Sequence, residues 1–378
     1  MTGSIPTFSV CPAGTEPQNA FNRIIWVQED HKKMAKRSII PVFIPHAGCP
    51  NGCIFCDQRA ITGRISVPSF SDVSSRIASA LAQLPPDAPA PELAFYGGSF
   101  TALDPSQQLG YLRAAQPFLQ SERISSIRVS TRPDAIGDSE LSLLASNGVK
   151  TIELGAQSMD DEVLRRAMRG HTAMDTEKAA RLVRESGFSL VLQMMAGLPG
   201  DSFDIVWQSA RRIAALRPDA VRIYPVVVLR GTPLFDLWQS GGYAPLSVED
   251  AVPLCAALID MFWRESIPII RIGLNPDEAL ASDVAAGAYH PALGELCYSR
   301  WYLDRIRAQL ALLAPVEEVC ICVHPSRISV AVGQRRRNID ALKQEFPSLR
   351  KLAVRPHDRG LDELFILQPD NHQENLFA

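Results

Sequence analysis

The sequence lacks any apolar run approaching the roughly 18 residues that a membrane-spanning helix requires. It also lacks an N-terminal apolar h-region of the kind that directs secretion. No internal repeat of fixed period is present, which sets aside solenoids and propellers. An overall basic excess is missing too: 38 Lys and Arg face 41 Asp and Glu, giving a net charge of −3 and a pI near 6.2. Nucleic acid binding would therefore have to use a local patch. The composition is not that of a disordered chain, because 46% of residues are hydrophobic and 21% charged. At 378 residues, one large domain with an appendage, or two domains, can be built. Eight unevenly spaced cysteines without a secretory leader predict reduced thiols in a cytoplasmic protein that no membrane holds.

Three of those cysteines lie together as Cys49-x3-Cys53-x2-Cys56, directly after the apolar run Ile39–Pro45. Gly48, Pro50 and Gly52 keep the loop between them irregular, so it can wrap a metal cluster. Cysteine thiolates ligate iron-sulfur clusters, and a cubic 4Fe-4S cluster normally takes four. With the fourth missing locally, one iron would stay open to an outside ligand, as the open position of a catalytic zinc does. Two other readings stand beside this one. The thiols could hold a structural zinc with a distant ligand such as His46, or they could be buried as small apolar residues.

Residues 1–37 carry Gly, Pro, Thr and Asn without periodicity and read as an arm, with Cys11 incidental. From there β-type runs alternate with amphipathic stretches. Strands are expected near 39–45, 92–96, 126–130, 151–154, 189–195, 220–228 and 268–272. Helices are expected near 72–84, 105–119, 139–147, 160–166, 175–186, 203–216 and 248–265. This alternation predicts an α/β fold, a full or partial parallel β/α barrel over 38–275, with active groups at the C-terminal strand ends. Those ends do carry unusual residues: Gly97-Gly98-Ser99-Phe100, Thr131-Arg132-Pro133-Asp134, Gly155-Ala156-Gln157-Ser158, Gly197-Leu198-Pro199-Gly200 and Tyr224-Pro225.

The cysteine spacing after a strand resembles the cluster loop of the radical S-adenosylmethionine (SAM) superfamily. With Arg169-Gly170-His171-Thr172 and Gly231-Thr232 added, the ordered set from Ser38 to Asn275 resembles the radical SAM core of the Elongator catalytic subunit family. The segment from Gly155 to Arg169 is more distantly similar to oxygen-independent coproporphyrinogen oxidases. The resemblance implies that Cys49, Cys53 and Cys56 ligate a 4Fe-4S cluster whose open iron is chelated by SAM. It implies that Gly97 and Gly98 contact the methionine end of SAM, that Gln157 reaches its ribose and Arg169 its carboxylate. Thr131 and Arg132 would shape the same pocket, while Met195, Gly197 and Tyr224 would flank the adenine. An electron donor such as flavodoxin or ferredoxin is implied as well. Two departures stand out: the Elongator cysteines are more widely spaced at the first interval, and only about 100 residues follow the core here, too few for that family's acetyltransferase domain.

Residues 276–378 are expected to form a small α/β domain, with a long helix near 295–312 and a strand near 319–323. Cys320 and Cys322 lie on one strand face with His324, where core packing is favoured over metal binding. Ser329 to Leu342 reads as a strand, a basic loop at Gly333, Arg335, Arg336 and Arg337, and a helix from Asn338. This resembles the RNA-clamping loop of KH modules, with Arg336 where the second glycine would stand. Between Ile321 and Gly360, nine Lys and Arg face three Asp and Glu. The leading expectation is a radical SAM enzyme modifying tRNA or other RNA. The alternatives are a radical SAM oxidoreductase on a tetrapyrrole or small molecule, and a non-catalytic, metal-stabilised RNA-binding protein.

Overall fold

The computed structural model describes residues 38–45, 47–49, 52–57, 67–275, 278–313, 315–358 and 360–368. The expected arm over 1–37, His46 and the tail beyond Gln368 lie outside the described residues. The chain divides into two compact units, with the boundary between Asp304 and Arg305.

The first unit is built on seven parallel strands in sequential order: β1 (Ile39–Phe43), β2 (Glu92–Tyr96), β3 (Ser126–Thr131), β4 (Val149–Gln157), β5 (Ser189–Ala196), β6 (Ala220–Pro225) and β8 (Ile269–Ile272). β1 and β8 are the two ends of this order, so the sheet is a partial β/α barrel. Helices alternate with the strands because their caps are written locally. Ser69, Thr172 and Ser247 each form a capping box with an Asp three residues on. Asp104 caps the helix Pro105–Gln120, whose first-turn proline needs no N–H partner.

Strand alternation gives the wall two different faces. Leu93, Phe95, Ile127, Val129, Ile152, Leu154, Leu192, Met194 and Ile223 are all completely buried. Each such side chain contributes about 1.5–3 kcal/mol relative to exposure. The intervening residues point the other way and carry charge: Glu92, Arg128, Glu153 and Arg222, all buried, with Tyr96 and Tyr224. A β/α barrel is commonly filled with branched apolar residues, whereas this wall is lined by an ion-pair ladder.

The strand expected over 220–228 is divided. Pro225 ends β6, having no N–H for the ladder, and β7 (Val227–Leu229) turns away to pair antiparallel with β9 (Val284–Gly287). The other core elements lie within a few residues of their expected bounds.

The second unit carries a three-stranded sheet in which β10 (Glu318–Val323) lies between parallel β11 (Lys351–Pro356) and antiparallel β12 (Leu364–Leu367). Cys320 and Cys322 pack with Phe365, while His324 caps the following turn at Ser326. The expected strand at Ser329–Val332 is wrong: Ile328–Val332 is a short helix. Its β-branched residues favour a strand locally, but tertiary context overrides them. Gly333 N–H returns to Ser329 O at 2.9 Å, and the buried Asn338 amide donates to Ala331 O at 3.1 Å, satisfying carbonyls a helix end leaves open. The strand–loop–helix likeness to KH modules therefore fails, although the helix Arg337–Glu345 is present.

Candidate functional site

The cysteine loop leaves β1 at the C-terminal edge of the sheet and is fastened on three sides. Ser99 N–H donates to Ala47 O at 2.9 Å, Ile54 N–H to Ala167 O at 3.3 Å, and Leu234 N–H to Ile54 O at 2.9 Å. Ile54 itself plugs an apolar cluster of Val163, Ala167, Leu198, Val226, Val228 and Leu234. Two glycines make the approach possible. A Cβ on Gly98 would lie 2.2 Å from Ala47 O, and one on Gly48, at φ +73°, would lie 2.1 Å from Ser99 O. Gly48 and Gly98 thus seat the loop against the turn after β2.

Cys49 is exposed, Cys56 half-buried and Cys53 buried. Protein crowded around Cys49 raises its thiol pKa, and the charge of Cys53 adds to this, while Arg169 and Arg132 oppose it. Two guanidiniums therefore flank the thiols. Arg169 donates from Nη1 to Cys53 Sγ at 3.2 Å and from Nη2 to Gly155 O at 2.8 Å. Arg132 makes a two-pronged contact with Asp134 at 2.9 and 2.8 Å. The expected carboxylate-binding Arg169 thus already engages a cysteine sulfur.

Thr131 is buried in a hydroxyl network, 2.9 Å from Ser99 Oγ and 2.6 Å from Thr101 Oγ1, and ties β3 to the glycine turn. Gln157 adopts φ +67°, and its Oε1 accepts from Gln193 Nε2 at 3.2 Å. Gln193, on β5, is a partner of Gln157 not singled out from the sequence; its place on the same strand face as Met195, two residues on, was the available signal. Met195 packs against the Ile54 cluster, and in register it stands beside Tyr224. Gly197 is held from both sides: Asp201 Oδ2 accepts its N–H at 3.1 Å, and Tyr243 OH donates to its carbonyl. Burial raises the Asp201 pKa to about 6.

Three buried nitrogens at this mouth have no hydrogen-bond partner among the described residues: Arg169 Nε, Arg132 Nη1 and His171 Nδ1. His171 Nε2 lies 3.2 Å from Ala156 O. Burial, reinforced by Arg169, lowers the His171 pKa to about 4, so the imidazole is neutral at pH 7. Unpartnered buried polar atoms are costly, and these two guanidinium donors and one imidazole acceptor lie with the cysteine loop, a set suited to an anionic cluster and a zwitterionic ligand. Among the described residues no group of three His, Cys, Asp or Glu is close enough to hold a single metal ion. His46, the expected zinc partner, lies outside the described residues.

The Radical SAM superfamily model matches residues 43–213, and the Radical_SAM C-terminal domain model matches residues 218–303. The chain belongs to the radical SAM superfamily. It is an enzyme of that family, whose cofactors are a 4Fe-4S cluster and SAM. A tRNA uridine(34) acetyltransferase of Methanocaldococcus jannaschii is 27% identical over 310 residues, 71% of this chain and 56% of that protein. Human Elongator complex protein 3 is 32% identical over 179 residues, 46% of this chain and 32% of that protein. The chain thus spans little more than half the length of the archaeal relative. In fold, it is similar to the archaeal Methanocaldococcus infernus Elp3 structure with N-terminal residues deleted. The TM-score is 0.57 and the identity 22%, covering 72% of this chain and 64% of that one. No helix among the described residues is long and apolar enough to cross a membrane.

Proposed function

We propose that this radical SAM enzyme modifies RNA, with tRNA the leading substrate class. Cys49, Cys53 and Cys56 hold the cluster at the mouth of the barrel. SAM lies against Gly97, Gly98, Gln157, Gln193, Met195 and Tyr224, with Arg132, Arg169 and Thr131 shaping the end nearest the thiols. Bound there, these cofactors would supply radical chemistry to a substrate at the mouth of the barrel. The residues of this chain do the rest: the glycine turn seats the loop, Ile54 shuts it against the core, and the two guanidiniums balance thiolate charge. The observation that carries the reading is the convergence of the cysteine loop with the unpartnered buried nitrogens of Arg132, Arg169 and His171.

The choice of RNA rests on the names of the relatives and on the exposed basic loop. Arg335 and Arg336 both adopt positive φ and, with Arg337, stand exposed at the start of a helix with no side-chain cap. That arrangement offers three cations to a phosphate backbone.

Two measurements test this. Anaerobically reconstituted wild type is expected to bind iron and sulfide and, with a strong reductant, to release 5′-deoxyadenosine from SAM; Cys53→Ala is expected to lose both. Binding of unfractionated tRNA is expected to weaken with salt, and a variant with Arg335, Arg336 and Arg337 all changed to Ala to lower that salt slope by about one unit per lost phosphate contact. Iron-free wild type, or tRNA binding indifferent to the triple change, would overturn the corresponding half.

A further inference from the structure

The inner wall of the barrel holds more cations than its carboxylates neutralise. Glu92 is taken up by Arg128, at 2.8 Å from Nε and 2.7 Å from Nη2, with Thr151 Oγ1 donating at 2.8 Å. Glu153 lies 3.0 Å from Arg222 Nε and 3.7 Å from Arg128 Nη1. Arg222 completes its fork on Tyr96 OH at 2.8 Å and Tyr224 OH at 3.4 Å. A third arginine, Arg271 on β8, stands beside Arg222 in parallel register, which puts both side chains on one face. Arg271 has no ion pair or hydrogen bond through its side chain among the described residues. Two guanidiniums side by side repel, and among the described residues no carboxylate pairs with the second.

This face is also open. Tyr96, Gln193, Met195, Tyr224 and Arg271 are each partly exposed, whereas their outward-facing neighbours Phe95, Met194 and Ile223 are completely buried. The phenol of Tyr224 feels both Arg222 and Arg271, so the three groups share one space. Tyr224 OH accepts from Arg222 and keeps its own proton to donate. Arg271, Tyr224 and Arg222 thus offer a forked cation, a hydroxyl donor and a second cation.

We propose that Arg271 and Tyr224, backed by Arg222, form an anion subsite on the barrel wall that takes the carboxylate of a small organic acid bound beside SAM. This deepens the radical SAM reading by giving the chamber a second ligand class beside SAM. It does not require that reading for its test, because carboxylate binding is measured on cluster-free protein. The two sources of such a carboxylate are a small organic acid and the methionine end of SAM, and the experiment separates them.

Acetate and malonate are titrated into the cluster-free full chain by calorimetry, and SAM into the reconstituted protein, for wild type, Arg271→Gln and Arg271→Lys. Saturable carboxylate binding by wild type is expected, at least tenfold weaker in R271Q and partly recovered in R271K, with SAM affinity changed less than twofold in either. The R271Q melting temperature is expected to be unchanged or raised, since a repelling charge is removed; R271K keeps the charge and carries the test should R271Q fail to fold. Absence of saturable carboxylate binding, or equal binding by R271Q, would overturn the proposal. A loss of SAM affinity in R271Q without loss of acetate binding would also overturn it, by assigning the guanidinium to SAM.

Discussion

Changing Glu153 to Gln keeps the volume of the side chain and removes one charge from the buried ladder. Arg222 then loses the carboxylate 3.0 Å from its Nε, and Arg128 Nη1, without a hydrogen bond among the described residues, loses the charge 3.7 Å away. Breaking a buried pair from one side generally costs about 3–5 kcal/mol, because the remaining charge stays buried. Here Arg222 keeps Tyr96 OH at 2.8 Å and lies over the Tyr96 ring at 5.4 Å, and Arg128 keeps Glu92. The lower end, about 3 kcal/mol, is therefore expected, equivalent to about 6–12 °C in melting temperature for a domain of this size. Thermal unfolding of the full chain by circular dichroism measures it. Adding Arg222→Gln to E153Q should cost less than the sum of the two single changes by at least about 1 kcal/mol, since each removes the other's unpaired partner. A loss below about 1 kcal/mol for E153Q, with additive singles, would refute the ladder as a coupled unit.

Two further outcomes are expected. Gly98→Ala drives a Cβ to 2.2 Å from Ala47 O and 2.8 Å from Ile44 O, backbone atoms that cannot swing aside; iron content after reconstitution should fall sharply while the far-ultraviolet spectrum stays that of wild type. Asp201 and His171 pull the pH dependence of stability in opposite directions. Asp201 binds its proton more tightly in the fold, with a pKa of about 6 against 3.8, so its stabilisation is complete below 3.8 and is lost as pH rises through about 6. His171, at about 4 against 6.5, contributes stability that is complete above 6.5 and is lost as pH falls through about 4. Denaturant midpoints measured from pH 4 to 7 should therefore slope upward with pH in Asp201→Asn and downward in His171→Gln, each relative to wild type.

The sequence made the framework readable where the signal is local. Asp104 followed by Pro105 fixes a helix start, Glu92–Tyr96 is a strand bounded by a proline and paired glycines, and the cysteine loop declares itself by spacing alone. Pairing across the sheet was not readable in the same way. Glu153 finds Arg222 from 69 residues away and Glu92 finds Arg128 from 36, distances set only once the register is fixed. The pairing of Gln193 with Gln157 was missed for the same reason. Ile328–Val332 failed differently: its composition favours a strand, yet Asn338 and Gly333 complete its carbonyl bonds as a helix.

The position of β1 at the end of the sheet has a consequence for assembly. Among the described residues its ladder of hydrogen bonds runs to β2 alone, while every strand from β2 to β6 is paired on both sides. The element that delivers the three thiols is thus one of the two edge strands of the wall, and amide exchange should open it before the central strands. Such an order suits a protein that must mature around an inserted inorganic group. A cluster held by the three thiols would then clasp this edge strand to the wall.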